Sequence, residues 1–293
     1  MNAFTIRDLE NLSGIKAHTI RIWELRYSFL KPQRTTTNIR YYDAEELKKL
    51  LNVALLNRYG YKISAISKMQ PEVVNQKILT LNSIEAQQER MINELLHGMI
   101  DLEGDKFEVI LHRYIDANGI DNTIQKLIFP FLQRVGILWL TDHVRIAQEH
   151  LVSNIIRQKL IMGIEHAQKN GTSNSSVLIF LPDAGYHELG ILYVYYLLKV
   201  RGSKVIYLGC DVPISELEYV CKIKSPDFVY THLTSLPPRF NFENYLSSIH
   251  KKLHDYNIVM SGRVVQQYTK KIPSNINFKK TLEEVITHLN PEE

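Results

Sequence analysis

Hydrophobic residues change rhythm twice along the chain. At the start they come in short helical runs: the spacing predicts a helix over 6–12 capped by Thr5, a Ser13-Gly14 turn, and a second helix over 16–26. A polar loop, 31–38, is able to form a hairpin wing, and Ile39-Arg40-Tyr41-Tyr42 returns from it. Asp43 then caps a helix, with Glu46 expected to complete a capping box. Apolar runs at 47–61 and 63–69 follow, and Pro71 is read as a boundary.

From 79 to about 169 the pattern is strand-poor and helix-rich, with helices expected over 84–100, 106–118, 119–141 and 144–168, parted by Gly104, Gly119 and Asp142. Four helices with short links make a bundle. Beyond Ser176 the rhythm becomes strand, helix, strand. Short apolar runs at 177–181, 204–208, 228–231 and 258–260 read as strands buried on both faces, with helices between them and a last helix over 282–289. That alternation is the mark of a doubly wound, flavodoxin-like α/β sheet. The predicted fold class is therefore multidomain. An all-α winged helix-turn-helix head occupies 1–75, a four-helix bundle 76–172, and the α/β doubly wound domain 173–293.

Composition narrows the class. With 293 residues, 45% of them hydrophobic, the chain has material for several cores, so it reads as globular rather than disordered or fibrous. No basic-then-apolar leader opens it and no apolar run approaches roughly 20 residues, so the cytoplasm is the expected location and no membrane partner is expected. Cys210 and Cys221 have no metal-ligand spacing and read as ordinary reduced thiols. The net charge of +4 decides little by itself, but the basic excess falls within residues 1–75, which favours a polyanion there.

The second helix carries His18, Thr19, Arg21 and Arg26, which a major groove can receive, while Arg40 and Tyr41 on the wing can reach phosphates. A small basic domain with a solvated face would show the same charges. The fuller pattern decides between them: Thr19-Ile20-Arg21 with Trp23-Glu24, Leu30-Lys31-Pro32 before the wing, and Arg40-Tyr41-Tyr42-Asp43 after it. This stretch resembles the DNA-binding head of the MerR family nearly throughout. The resemblance implies a dimer with each recognition helix in a major groove of palindromic double-stranded DNA. A long dimerising coiled coil, usual in many such proteins, is not evident in this sequence.

In the bundle, Trp139, Glu149 and His150 taken alone read as a core tryptophan and a solvated pair. Their spacing, a tryptophan then nine residues then Glu-His, resembles the cap motif of the light-responsive CarH/LitR regulators. That resemblance implies a bundle covering the upper face of a cobalamin, with Trp139 packed over its upper ligand.

The sheet domain resembles the cobalamin-binding module of those regulators, of methionine synthase and of the mutases, whose pattern is D/E-x-H-x-x-G, then S-x-L, then G-G. The matching positions are His187 and Gly190, then Thr231 and Leu233, then Ser261 and Gly262, with Leu208-Gly209-Cys210-Asp211-Val212-Pro213 between. His187 follows a strand's carboxyl end, where open α/β sheets place ligands, and imidazole suits cobalt. The resemblance thus makes His187 the ligand to the cobalt of cobalamin, adenosylcobalamin foremost. Thr231, Ser261 and Gly262 would line a channel for the nucleotide tail.

Three departures qualify this reading. Gly185 replaces the acid that orients the histidine, leaving Asp183 or water to substitute. Ser261 replaces a glycine. Leu140 stands where light-sensing members place a second cobalt-capturing histidine, so the bis-histidine state has no residue for it here. The leading expectation is a non-enzymatic transcription regulator that senses cobalamin and changes oligomeric state, as dimer or tetramer, or operator affinity. Beside it stand the same regulator with a degenerate sensor that works without cobalamin, and a corrinoid carrier in methyl transfer. His112, His143, His166 and His254 are expected to be surface or packing residues.

Overall fold

The computed structural model describes residues 4–140, 143–170, 173–182, 188–237 and 239–289. They form two compact units, Met1–Ile155 and Ile156–Glu293, and both the predicted head and most of the predicted bundle lie in the first.

The first unit begins with α1 (Ile6–Ser13), whose Thr5 cap and Asp8 form a reciprocal capping box; Gly14, at φ 74°, closes it in the left-handed conformation that glycine tolerates best. α2 (Ala17–Tyr27) follows, then the two-stranded wing of β1 (Gln33–Arg34) and β2 (Arg40–Tyr41), antiparallel, with Arg34 opposite Arg40. Phe4 bridges to Tyr42 and fastens the chain start to the wing's base. Asp43 caps α3 (Ala44–Arg58) as expected, but the capping box does not form. Glu46 instead accepts from the backbone N–H of Lys31 at 2.8 Å and pairs with Lys49, because burial among the helices gives its carboxylate better donors.

After α4 (Ile63–Ile66), Pro71 stands at the boundary between two helices. It occupies the first turn of α5 (Pro71–Leu79), where a missing N–H costs nothing. α6 (Ile84–Ile100) has the predicted bounds, capped by Ser83. α7 (Gly104–Thr123) is broken inside by Gly119 at φ 75°, and a π-turn, Ile124–Ile128, leads into α8 (Phe129–Leu140). α9 (Ile146–Glu165) runs across the division between the units. The first core is built on Phe4, Leu9, Ile20, Leu50, Phe107 and Phe131, all essentially inaccessible to solvent.

The second unit contains β3 (Ser176–Phe180), α10 (Leu189–Val200), β4 (Lys204–Tyr207), α11 (Ile214–Lys224), β5 (Phe228–His232), α12 (Phe242–Lys252), β6 (Ile258–Ser261), α13 (Arg263–Gln267), β7 (Ile276–Lys279) and α14 (Leu282–Leu289). Its sheet is parallel in the order β4-β3-β5-β6-β7, the flavodoxin-like order. The sequence reading expected four strands. The fifth, Ile-Asn-Phe-Lys, pairs through Ile276 beside Ile258 and Phe278 beside Met260; as an edge strand it alternates apolar with polar and lacks the unbroken apolar run that marked the others. Val177 to Leu181, Val229, Tyr230 and Ile258 to Met260 are buried on both faces.

Candidate functional site

On α2, Ile20 and Trp23 turn inward while His18, Arg21, Ile22, Leu25 and Arg26 are exposed and Thr19 is half-buried. His18, Arg21, Ile22 and Leu25 share one face by their spacing of three and four. The sequence reading named the basic members but not Ile22 or Leu25, the latter 79% exposed, although apolar side chains on a recognition helix are suited to thymine methyl groups. The wing residues are less free than expected. The Arg40 guanidinium donates to Glu24 Oε1 at 3.1 Å, and the Tyr41 hydroxyl donates across the wing to Gln33 at 2.7 Å. Glu24 also accepts from the Tyr42 hydroxyl at 2.9 Å, so one carboxylate joins α2, the wing and the wing's base. Burial, together with the Glu24 carboxylate, raises the Tyr42 phenol well above its usual range, so it remains a donor.

Trp139, near the end of α8, is 46% exposed, so it is a surface ring rather than the core residue its type alone would suggest. Glu149 is half-buried in the first turn of α9, and His150 beside it is exposed, its Nε2 3.6 Å from Glu149. The Leu140 side chain lies outside the described residues.

In the second unit the strand-end residues do converge. Thr231 is fully buried at the end of β5, and its Oγ1 has no hydrogen-bond partner among the described residues. Leu233 donates its N–H to the Ser261 carbonyl at 2.8 Å. Gly262, at φ 100° and ψ 178°, starts α13, and a Cβ there would lie 2.4 Å from the Leu233 carbonyl oxygen, so only glycine fits. Gly190, in the first turn of α10, is crowded by a side chain instead: a Cβ there would fall 2.2 Å from the ring of His232, which would have to move.

His232 was not singled out from the sequence, because it is merely the variable position between Thr231 and Leu233. Its Nδ1 bonds to the Ser261 hydroxyl at 2.8 Å, and Ser261 also pairs with the Tyr230 hydroxyl at 2.6 Å. Burial lowers the His232 pKa from 6.5 to about 4, so the ring is neutral near pH 7. A small part of the ring reaches the surface, but protein packs around nearly all of it, and that packing sets its desolvation. Ser261, expected to narrow a channel, is thus the hinge of a Tyr230–Ser261–His232 network.

His187, Asp183 and Gly185 lie outside the described residues. The chain re-emerges at Glu188, which accepts from Arg157 Nε at 2.5 Å and from the Tyr207 hydroxyl at 3.0 Å. Burial pushes the Glu188 carboxyl up, but the Arg157, Cys210 and Tyr207 donors outweigh it and hold the group below the usual carboxylate range. Burial and the same carboxylate raise the Cys210 thiol to about 12, which leaves it unreactive, and burial raises Cys221 to about 11. Of the remaining histidines, His112, His166 and His254 make local surface contacts. His143 packs deeply into the first unit.

The residues present fit a buried ligand with a polar extension in one respect, the hydroxyl at Thr231 that has no partner among the described residues; the space beside Gly190 and Gly262 is taken by the His232 ring and the Leu233 backbone. The His232 ring fills the space over Gly190 and would have to swing aside for a ligand group to enter there.

Residues 4–73 match the MerR HTH family regulatory proteins, and residues 91–162 match the B12 binding domain. The HTH-type transcriptional repressor CarA of Myxococcus xanthus is 26% identical over 289 residues, 97% of this chain and 96% of that protein. The HTH-type transcriptional repressor CarH of the same organism is 27% identical over 256 residues, 85% of each chain. Among solved structures, the monomethylamine corrinoid protein of Methanosarcina barkeri superposes with a TM-score of 0.56 at 12% identity, covering 69% of this chain and 97% of its own, a likeness of fold. No helix among the described residues is long and apolar enough to cross a membrane.

Proposed function

We propose that this chain, a MerR-family DNA-binding regulator carrying a B12-binding domain, makes its operator affinity depend on a bound corrinoid. The observation that carries the reading is the Thr231 hydroxyl at the end of β5, inaccessible to solvent and without a partner among the described residues. Left unpaired, such a hydroxyl costs about 1–3 kcal/mol, and a ligand's polar group offsets that cost.

On this reading Gly190, Thr231, Leu233, Ser261 and Gly262 would receive the ligand's tail, and His187 would hold the cobalt. Trp139, Glu149 and His150 serve as the cap. A bound corrinoid would supply a cobalt centre able to take an imidazole. The chain's own contribution is selective: a ligand shifts DNA binding only as far as it binds one arrangement more tightly than another. Linking several heads in a dimer or tetramer would then give avidity for a palindromic operator. Adenosylcobalamin is the corrinoid proposed, the cytoplasm the location, and regulation rather than catalysis the role, in keeping with relatives named as repressors.

The test is visible absorption of the purified chain after dark incubation with adenosylcobalamin and desalting, alongside His187→Ala. A retained corrinoid spectrum, lost or strongly reduced in the variant, is the expected result. Equal retention by His187→Ala would remove the ligand assignment, and a colourless wild type that still binds DNA would favour a sensor that works without cobalamin.

A further inference from the structure

Asp8 on α1 and His143 just beyond α8 are far apart in the sequence, and neither has a role in the site described above. The structure places them against each other. Asp8, third residue of α1, is 1% exposed, and its Oδ2 accepts from the Thr5 backbone N–H at 2.7 Å and from the Thr5 hydroxyl at 2.5 Å. His143 Nε2 lies 2.7 Å from the same oxygen, although the ring is not aligned for a regular hydrogen bond. Asp8 Oδ1 is buried with no partner among the described residues. His143 is itself fixed to the end of α8, its N–H donating to the Leu138 carbonyl at 2.9 Å, one residue from the exposed Trp139.

From this contact a chain of short links reaches the DNA-facing elements. The His143 ring meets Phe4 edge-on, centroids 5.3 Å apart. Phe4 and Tyr42 exchange backbone hydrogen bonds of 2.7 and 2.8 Å. The Tyr42 hydroxyl donates to Glu24 on α2, and Glu24 accepts from Arg40 on the wing. Each link is polar or ring-to-ring, and all of them lie within the first unit.

We propose that His143 and Asp8 form a latch through which the end of α8 governs the pose of the recognition helix and wing. Without His143 the buried Asp8 carboxylate keeps only the two Thr5 donors on Oδ2, so losing the contact is costly. Displacement of the α8 end, where Trp139 sits, therefore moves α1 with it or releases it. In either case the Phe4–Tyr42–Glu24 linkage passes the change to α2. The latch rests on the proposed corrinoid response for its input, but its output can be measured without any corrinoid.

The experiment uses the full chain and a DNA duplex selected by that chain from a random pool. Affinity is measured by fluorescence anisotropy in the dark, with and without adenosylcobalamin, for wild type, His143→Leu, Asp8→Asn and the double variant. His143→Gln, which keeps size and a donor, serves where the leucine variant does not fold. The wild-type ratio of affinities is expected to differ from one by on the order of fivefold or more. Each single variant should bring the ratio close to one while still retaining corrinoid and still binding DNA, and the double variant should change it no further. A wild-type ratio preserved in His143→Leu overturns the latch. A wild type with no corrinoid response overturns the proposed function instead. The latch is then judged on ligand-free protein, where unchanged DNA affinity together with unchanged amide exchange across α1 in His143→Leu overturns it, and a change in either supports it.

Discussion

His232 makes the second unit sensitive to acid in a way that can be calculated. In the folded unit burial holds its pKa at about 4, against 6.5 for the ordinary group. The folded ring therefore stays neutral between those values while the unfolded ring takes a proton, so stability is full above pH 6.5 and is lost as the pH falls toward 4. Going from about pH 7.5 to about pH 5, that difference is worth about 2 kcal/mol against the fold. Urea unfolding followed by far-ultraviolet circular dichroism reads the loss, and both tryptophans, Trp23 and Trp139, report the first unit separately by fluorescence. The comparison is with His232→Gln, which keeps a polar group toward Ser261 and has no titrating ring. All other titrating groups are common to both proteins, so the variant should lose about 2 kcal/mol less stability over that pH range. Identical pH dependence in the two would refute the burial argument for His232.

Further outcomes follow from the same geometry. Gly262→Ala forces a side chain into a backbone region essentially reserved for glycine, with its Cβ 2.4 Å from the Leu233 carbonyl oxygen, and should destabilise the second unit by about 3 kcal/mol or more, read from its urea midpoint. Arg21→Ala should weaken DNA binding and, if the arginine meets a phosphate, reduce the slope of log affinity against log salt by about one; an unchanged salt titration would count against α2 as the recognition helix. Leu25→Ala should cost about 1 kcal/mol on the preferred site and relax discrimination at one base pair, measured by competition with single-substitution duplexes.

What could be read from the sequence was whatever local chemistry specifies. The Thr5 cap, the Gly119 break, the limits of α6 and α14 and the central strands all follow from caps, glycines and apolar runs within a few residues of one another. The helix that begins at Pro71 was not legible, because a proline ends one helix and begins another with equal ease, and only the following Pro71–Leu79 stretch settles which. β7 was missed because an edge strand need not be apolar on both faces. The site divides along the same line. Gly190, Thr231, Ser261 and Gly262 are candidates through motif spacing, and parallel pairing brings Thr231 and Ser261 to one end of the sheet. His232 and Asp8 were missed because their roles depend on Gly190, Ser261 and His143, partners brought close only by folding. Burial and pairing between distant residues leave no periodic trace in the chain.

The central claim is that corrinoid occupancy and DNA occupancy are linked, and reciprocity gives its most direct test. Adenosylcobalamin affinity of the full chain would be measured in the dark, by visible absorption, in the absence of DNA and in the presence of saturating selected duplex. The account predicts that DNA changes the corrinoid affinity by the same factor by which the corrinoid changes DNA affinity. Tight corrinoid binding that is indifferent to DNA would contradict it.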